Sequence, residues 1–417
     1  MNNKFPDTTL GAIATLYDCL HKTPSYSEDG YPMVRVTDIK RGFLDLSGTL
    51  KVHYKVYQEF IRRRKPRAGD ILLTRVGVYF GISCYVDRNQ DFCLGQNTVC
   101  IASDRQKIIP YFSYCCLNAP SAKQQMDSLV GGGAQPTISL RNISLLRIPL
   151  PDLAIQRKIA AILWAYDNLI ENNLQRIKIL EEMAQHLYRE WFVKFRFPGY
   201  ERARFTDSPL GMIPEGWEVK RLDQVVLSQN NGTKAGEHLS DRVYLPIDCI
   251  PRRSLAISEI SSWKEAQSSL HLFDKGDILF GAMRPYFHKV VVAPFKGVTR
   301  KTCFVFKSVL SEYHAFTALT LFQDSTVSFA NAHSKGSTIP YAVWLQSMDG
   351  MPVVVPSIEL AKRFEETVGP MITRIGTAFF QNAALHRTRD LLLPKLVSGE
   401  EDVSELDITV PEEESEP

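Results

Sequence analysis

The sequence predicts an α+β protein with an internal pseudo-twofold repeat: two strand-rich α/β domains separated by two long helices that pair antiparallel as a coiled coil. Three observations lead there. The phrase "AGDILLTRVGVYF" at 68–80 returns as "KGDILFGAMRPYF" at 275–287, an offset of 207 residues. One helical stripe of apolar residues begins after residue 150 and another after residue 355. The stretches before them break into short β-rich runs punctuated by Gly, Pro, Asp and Asn.

Other echoes keep the same order along the chain. Thr137-Ile138 is answered by Thr338-Ile339 at offset 201. "RIPLPDLAIQRKI" (147–159) is answered by "MPVVVPSIELAKRF" (351–364), with Pro151 over Pro356 at offset 205. "PMVRVTDI", ending at Ile39, faces "VYLPIDCI", ending at Ile250, at offset 211. A period of about 205 residues is too long for a solenoid and indicates a duplicated domain arrangement.

Taken in order, residues 1–150 read as the first strand-rich domain, with runs such as "GDILLTRVGVYFGISCYV" and "NTVCIA". Asp152 is the expected N-cap of the first long spacer helix, 151–195. Its apolar positions are Ile155, Ile159, Ile162, Tyr166, Ile170, Leu174, Ile177, Leu180, Ala184, Leu187 and Trp191, in steps of three and four. Trp191, Phe192, Phe195 and Phe197 are expected to pin the end of this helix onto the second domain. Outward residues Arg157, Lys158, Arg176, Lys178, Glu181 and Glu182 are expected to be solvated.

A linker and the second strand-rich domain occupy 196–355, and Ser357 caps the second long spacer helix, 356–399. Its stripe runs through Leu360, Phe364, Val368, Ile372, Ile375 and Phe379, later Leu385 and Leu392. Gly369-Pro370 predicts a kink and Pro394 a stop. A helix of about 40 residues with one apolar stripe needs cover, and the complementary stripe is the other helix of the chain.

Composition excludes several classes. With 44% hydrophobic and 23% charged residues the chain reads as globular. No apolar run approaches the ~18 residues of a membrane span, and "MNNKFPDTTL" has no apolar signal region, so a cytoplasmic protein is expected. Eight cysteines at irregular spacing, Cys115 and Cys116 adjacent and no C-x-x-C, read as buried reduced thiols rather than a zinc or disulfide framework. The net charge is +3, but nine acidic residues and no Lys or Arg lie from Glu400 onward, so residues 1–399 carry +12. A basic body favours a polyanionic partner, and 400–417 reads as an acidic disordered tail.

The basic segment "IRRRKPR" (61–67) brings Arg62, Arg63, Arg64, Lys65 and Arg67 together ahead of the first GDIL phrase. Phosphate contact and simple solvation are both open to it; Arg252-Arg253 and Arg300-Lys301 read the same way. Reading base edges takes Arg, Lys, Asn or Gln that span two groups in the major groove, which makes Arg75, Gln96, Asn97, Arg284 and Lys289 candidates. Catalysis is disfavoured. A base-flipping amino-methyltransferase loop would need a Pro-Pro pair and a phosphate loop a Gly-Lys pair, and the sequence has neither. Glu218-Val219-Lys220 with Asp207 resembles a nuclease fragment but is short enough to arise by chance. The "GGG" at 131–133 reads as a turn before the long helix rather than a phosphate cradle.

Five segments together carry a family resemblance: "GGGAQPTISLRNISLLRIPLPDLAIQRKIAAIL" (131–163), "LYREWFVKFRFPGYE" (187–201), "IPEGWEVKRL" (213–222), "GDILFGAMRPYFHKV" (276–290) and "LLLPKLVSGE" (391–400). The chain resembles the DNA-specificity subunit of type I restriction-modification enzymes over nearly its whole length. The resemblance implies a non-catalytic subunit whose two target-recognition domains each read half of a bipartite double-stranded DNA sequence. It also implies helices that set the spacing, two docked methyltransferase subunits and two restriction subunits with motor and nuclease. S-adenosylmethionine, ATP and Mg would act in those partners, with no metal or cofactor in this chain. A coiled-coil scaffold with protein-binding end domains is the alternative, distinguished by weak dependence on salt.

Overall fold

The GDIL phrase is written twice because it solves one folding problem twice. In each copy the glycine takes a positive φ (Gly69 +92°, Gly276 +90°), which a side chain would resist. The following aspartate is buried and closes the turn: Asp70 accepts the Arg67 amide at 2.8 Å and Asp277 the Asp274 amide at 2.8 Å. The chain then enters a strand buried on both faces, which explains its continuous apolar run.

The structure, a computed structural model, describes residues 4–130, 135–267, 269–336 and 338–409. The expected turn at Gly131–Gly133 and residues 410–417 of the expected tail lie outside them. The chain separates into two compact units, Met1–Asn172 with Ala384–Pro417, and Asn173–Ala383. The division therefore falls within both long helices.

In the first unit, strands Ala14–Asp18, Thr98–Ser103, Ile71–Thr74 and Ser83–Tyr85 form an antiparallel sheet in that spatial order. Ile71 and Leu73 face a core with Phe112 and Ile159, while Leu72 faces a second core with Val34, Cys84 and Phe92, as strand alternation requires. A smaller sheet joins Leu50–Val52, Tyr31–Val34 and Cys93–Leu94, the last two parallel. Helices Pro110–Asn118 and Pro120–Ser128 follow.

The second unit repeats the order of the main sheet. Val226–Gln229, Cys303–Ser308, Ile278–Gly281 and Val290–Val292 form its main sheet. Gly232–Thr233, Leu270–Phe273, Gly297–Arg300 and Val243–Tyr244 form the smaller one, again with a parallel last pair. Helices His314–Phe322 and Asp324–Ala332 follow at an offset of 204 from their counterparts. All eight cysteines are unpaired and seven are buried, as the sequence suggested.

The first long helix spans Leu153–Tyr188 and ends in a π-type turn, Arg189–Val193. Asp152 Oδ1 caps it by accepting the Ile155 amide at 2.9 Å. The second spans Ile358–Ser398, continuous through Gly369-Pro370 and past Pro394. Pro394 does not stop it because Leu393, Leu396 and Val397 are buried in the first unit's core, and their packing offsets the lost hydrogen bond.

Within each unit the helices pack in opposite directions. In the first, Ile159 and Leu163 share a core with Leu393 and Leu396, and Asp167 pairs with Arg389. In the second, Asn173 Nδ2 donates to Asn382 Oδ1 at 2.8 Å, Ile177 meets Ile375, and Ala184 and Tyr188 share a core with Phe364, Val368 and Ile372. Leu360 and Phe379 are buried as expected, and Trp191 and Phe192 sit in that second-unit core with Phe195 and Phe197 against it.

The first helix's stripe differs from the expected one. Leu174 is 49% exposed, Ile155, Ile162 and Leu187 are half-buried, and Glu181, expected in solvent, is buried. The buried residues recur every seven positions: Gln156, Leu163, Ile170, Ile177, Ala184 and Trp191. Counting apolar residues alone drifts off this line, because the flanking seam buries Asp167 and Glu181 with polar partners. Within 400–409 Val403 is buried in the first unit's core and Lys158 Nζ donates to the Ser404 carbonyl at 2.6 Å.

Asp167 also accepts from the Tyr111 hydroxyl, so removing its arginine partner strands a buried charge. Arg389→Ala is expected to destabilise the protein by ~3–5 kcal/mol in denaturant unfolding, whereas Leu174→Asp costs under ~0.5 kcal/mol. A large loss for Leu174→Asp would show that position 174 is buried.

Candidate nucleic-acid interface

Each central strand delivers the chain into a matched turn at its far end. In the first unit this is Gly77–Tyr79, with Gly77 at φ +78°. The Gly77 amide donates to the Pro136 carbonyl at 3.0 Å, the Ile138 amide to Arg75 at 3.1 Å, and the Arg75 amide to Asn97 at 3.0 Å. In the second the turn is Pro285–Phe287, preceded by Arg284 at φ +51°. Arg284 donates to Pro340, Ala342 to Ala282 and Ala282 to Thr302, each at 2.8 Å.

These bonds set the register of the repeat. Pro136–Ile138 answers Pro340–Ala342 at offset 204, not Thr338-Ile339 at 201 as the shared Thr-Ile suggested. A two-residue match is short enough to mislead; backbone pairing is not. Both turns are exposed: Val78 at 92%, and Tyr79 and Tyr286, which occupy the same place in the repeat, at 38% and 49%.

The candidate DNA-contacting residues divide by what already holds them. Arg64 grips Asp70 with two nitrogens, the closest pair at 2.6 Å, and Lys65 pairs with Asp91 at 2.6 Å. Arg62, Arg63 and Arg67 remain exposed on the same segment. Arg75 is largely buried, with Nη2 at 3.0 Å from His21 and 3.5 Å from Asp18. Gln96 donates to the Thr23 hydroxyl at 3.3 Å, and Asn97 holds a positive φ of 64° beside it. Lys289 donates to the Ile247 carbonyl at 2.7 Å, and burial pushes its pKa below the usual lysine range. The structure therefore engages Arg64, Arg75 and Lys289 within their own units.

In the second unit Arg300 and Lys301 are exposed, and the Tyr341 hydroxyl bonds to the Lys301 carbonyl. Tyr341 exchanges backbone bonds with Lys335 at 2.8 and 2.9 Å, and its neighbour Pro340 receives the Arg284 amide. Arg284, Lys301 and exposed Lys335 thus converge on one ladder. Sequence reading missed Lys335, which the 204 register would have placed opposite the glycine-rich stretch. Arg252 lies with its guanidinium 3.8 Å from the Phe287 ring centre, and Arg253 reaches Asp324 at 3.0 Å. Nε of both Arg75 and Arg284 is buried without an acceptor.

The nuclease-like fragment does not assemble a metal centre. Glu218 pairs with Lys220 at 2.9 Å on a strand, and Asp207 belongs to a separate hairpin, Phe205–Ser208 with Gly211–Pro214. Among the described residues the grouping close enough to share an ion is Asp18, Cys19 and His21. His21 there is already 3.0 Å from both Asp18 and Arg75.

Comparison with known proteins points in one direction. A family model described as "Type I restriction modification DNA specificity domain" matches residues 9–182. Over those residues the chain carries a type I specificity domain, and it is similar along most of its length to type I specificity subunits. It is 26% identical over 313 residues to the type I restriction enzyme MjaIX specificity subunit of Methanocaldococcus jannaschii, covering 72% of this chain and 71% of that one. With the HindI specificity subunit of Haemophilus influenzae identity is 22% over 405 residues, 81% of this chain and 88% of the relative. The crystal structure of a type I restriction-modification S subunit from M. genitalium shares the fold, with a TM-score of 0.57 at 15% identity over 95% of this chain and 96% of that chain. The specificity domain match ends within the first long helix, so it takes in the first unit's turn and ladder. No helix among the described residues is long and apolar enough to cross a membrane.

Arg64→Ala is expected to lower stability by ~2–3 kcal/mol by stranding the Asp70 carboxylate, while Arg62→Ala and Arg63→Ala leave the thermal midpoint unchanged. Equal effects at the three positions would mean Arg64 is merely another surface charge.

Proposed function

We propose that this chain is the sequence-reading subunit of a type I restriction-modification enzyme, with each unit reading one half of a bipartite double-stranded target. The observation that carries the reading is the repetition, in both units, of one main-sheet strand order, one turn bearing an exposed tyrosine and one set of backbone bonds. A target in two halves suits a reader built in two copies. The seven-residue recurrence of buried positions supports a coiled coil, and 41 residues of helix at ~1.5 Å per residue give about 60 Å, under two turns of duplex at ~3.4 Å per base pair. That helix pair would serve as the spacer between the two half-sites, completing the pseudo-twofold plan.

The exposed cations Arg62, Arg63, Arg67, Arg300 and Lys301 would hold phosphates, which positions the protein without reading sequence. The turns Gly77–Tyr79 and Pro285–Phe287, with Gln96, Asn97 and Arg284 alongside, would present groups to base edges. Chemistry would belong to partners: two methyltransferase subunits using S-adenosylmethionine, and two restriction subunits using ATP and Mg, all in the cytoplasm. This chain would have no catalytic residue of its own.

Selection from randomised duplexes, with the chain bound to its methyltransferase partner, is expected to recover two short motifs at one fixed gap. A single motif, or none with salt-insensitive retention, would overturn the bipartite reading, the second outcome in favour of a protein-binding scaffold. Replacing Arg62, Arg63 and Arg67 by alanine is expected to weaken binding to all duplexes alike and to flatten the salt dependence by about 0.9 for each phosphate no longer neutralised. Tyr286→Ala is expected to relax preference in one half-site only, read from the sequences that become methylated.

A further inference from the structure

Glu181 is of a residue type ordinarily left in water, yet on the buried seam of the first long helix it is 8% exposed. One carboxylate oxygen accepts three hydrogen bonds from a single loop: Ser254 Oγ at 2.6 Å, the Leu255 amide at 2.6 Å and the Ala256 amide at 3.0 Å. Burial outweighs these bonds and pushes its pKa above the usual glutamate range. The loop it grips carries Arg252 and Arg253, both exposed.

The other side of that loop is fastened to the repeated turn. Arg253 adopts a left-handed φ of 55° and its amide donates to the His288 carbonyl at 2.8 Å. Arg252 stacks on Phe287. Asp324 receives Arg253 at 3.0 Å and lies 3.2 Å from His288 Nδ1, while His288 Nε2 meets the Phe322 carbonyl at 2.8 Å. Left-handed non-glycine residues persist only where their surroundings over-determine them, and Arg253, Arg284 and His288 are three such residues at one place.

The first unit has a counterpart. Arg41, two residues after Ile39 as Arg252 is two after Ile250, pairs with Asp390 of the second long helix at 3.0 Å. Gly42 follows at φ +118°, where Arg253 is also left-handed. In both units a carboxylate on a long helix holds the same loop of the repeat.

We propose that Glu181 is a positioning residue: it fixes the Arg252–Arg253 loop to the spacer helix, so that these two cations meet DNA phosphates at a set distance along the helix. This rests on the DNA-reading function proposed above. The test compares the wild-type chain with Glu181→Ala, Glu181→Gln, Arg252→Ala and the Glu181→Ala/Arg252→Ala double variant, each with its methyltransferase partner, on the selected duplex. Affinity is read across a salt series, with the thermal midpoint in parallel.

Glu181→Ala is expected to weaken binding roughly tenfold and to flatten the salt slope by about 0.9 for each phosphate the loop no longer reaches. Glu181→Gln, whose amide oxygen still accepts, is expected to stay within about threefold of wild type. The double variant is expected to lose no more than the stronger single variant, because both act through the same phosphates. Should Glu181→Ala be unfolded at the assay temperature, Ser254→Ala takes its place, with a smaller loss in the same direction. Wild-type affinity and slope in folded Glu181→Ala, or additive losses in the double variant, would overturn the proposal while leaving DNA reading intact. Absence of duplex binding by the wild-type assembly would overturn DNA reading and this proposal together.

Discussion

Both units depend on a buried carboxylate that closes a turn. Asp70 and Asp277 each follow a glycine at positive φ and bind the backbone amide three residues back, which starts the central strand in one direction and one register. A slip of one residue there would exchange the two faces of the strand, moving Ile71 and Leu73 into the core that Leu72 occupies. It would also displace the turn at the strand's far end, because Tyr79 and Tyr286 follow the aspartates by nine residues in both copies. The exposed turn is thus positioned by a hydrogen bond at the opposite end of the strand. The cost of burying the aspartate is met differently in the two units, by bidentate Arg64 at 2.6 Å in the first and by Lys307 at 3.8 Å in the second.

The long helices follow another rule. Their apolar residues supply the area, but polar pairs mark the alignment: Asp167 with Arg389 in the first unit, Asn173 with Asn382 in the second. An apolar seam tolerates sliding by a heptad, since every seventh residue offers a similar surface. A buried acid that must meet one arginine does not. Burying such groups adds little to stability against a well-packed apolar pair, so their physical effect is to select one register among several. For helices that would separate two reading heads, register and spacing are the same quantity.

The fold was legible in the sequence wherever one residue type has one use. Gly-Asp before an apolar run located both central strands, Asp152 located the first helix start, and Trp191 and Phe192 located its burial. Reading failed where a residue's partner lies far away in sequence. Leu174 was apolar and at helical spacing, but the seam at that level is occupied by Asn173, whose partner is 209 residues on. Glu181 was charged and so assigned to water, though three donors awaited it at 254–256. The same limit applied to the candidate interface. "IRRRKPR" reads as five equivalent cations, and only the fold shows that Arg64 belongs to Asp70 and Lys65 to Asp91. Lys335 gained its place solely from the backbone pairing of Tyr341.

The two copies of the repeat carry different residues at their matched turns. Gly77 and Arg284 occupy the same left-handed position in the repeat and each donates its amide to a proline carbonyl, yet one is the residue that adopts it freely and the other a cation. Gln96 in the first ladder is answered by Lys301 in the second, and Thr137 by Tyr341. The backbone bonds that support these side chains are the same in both units. A scaffold whose main-chain pairing does not depend on the side chains at its rim can exchange those side chains without losing its register. That separation lets two units of one architecture present different groups, as the proposed reading of two half-sites would require.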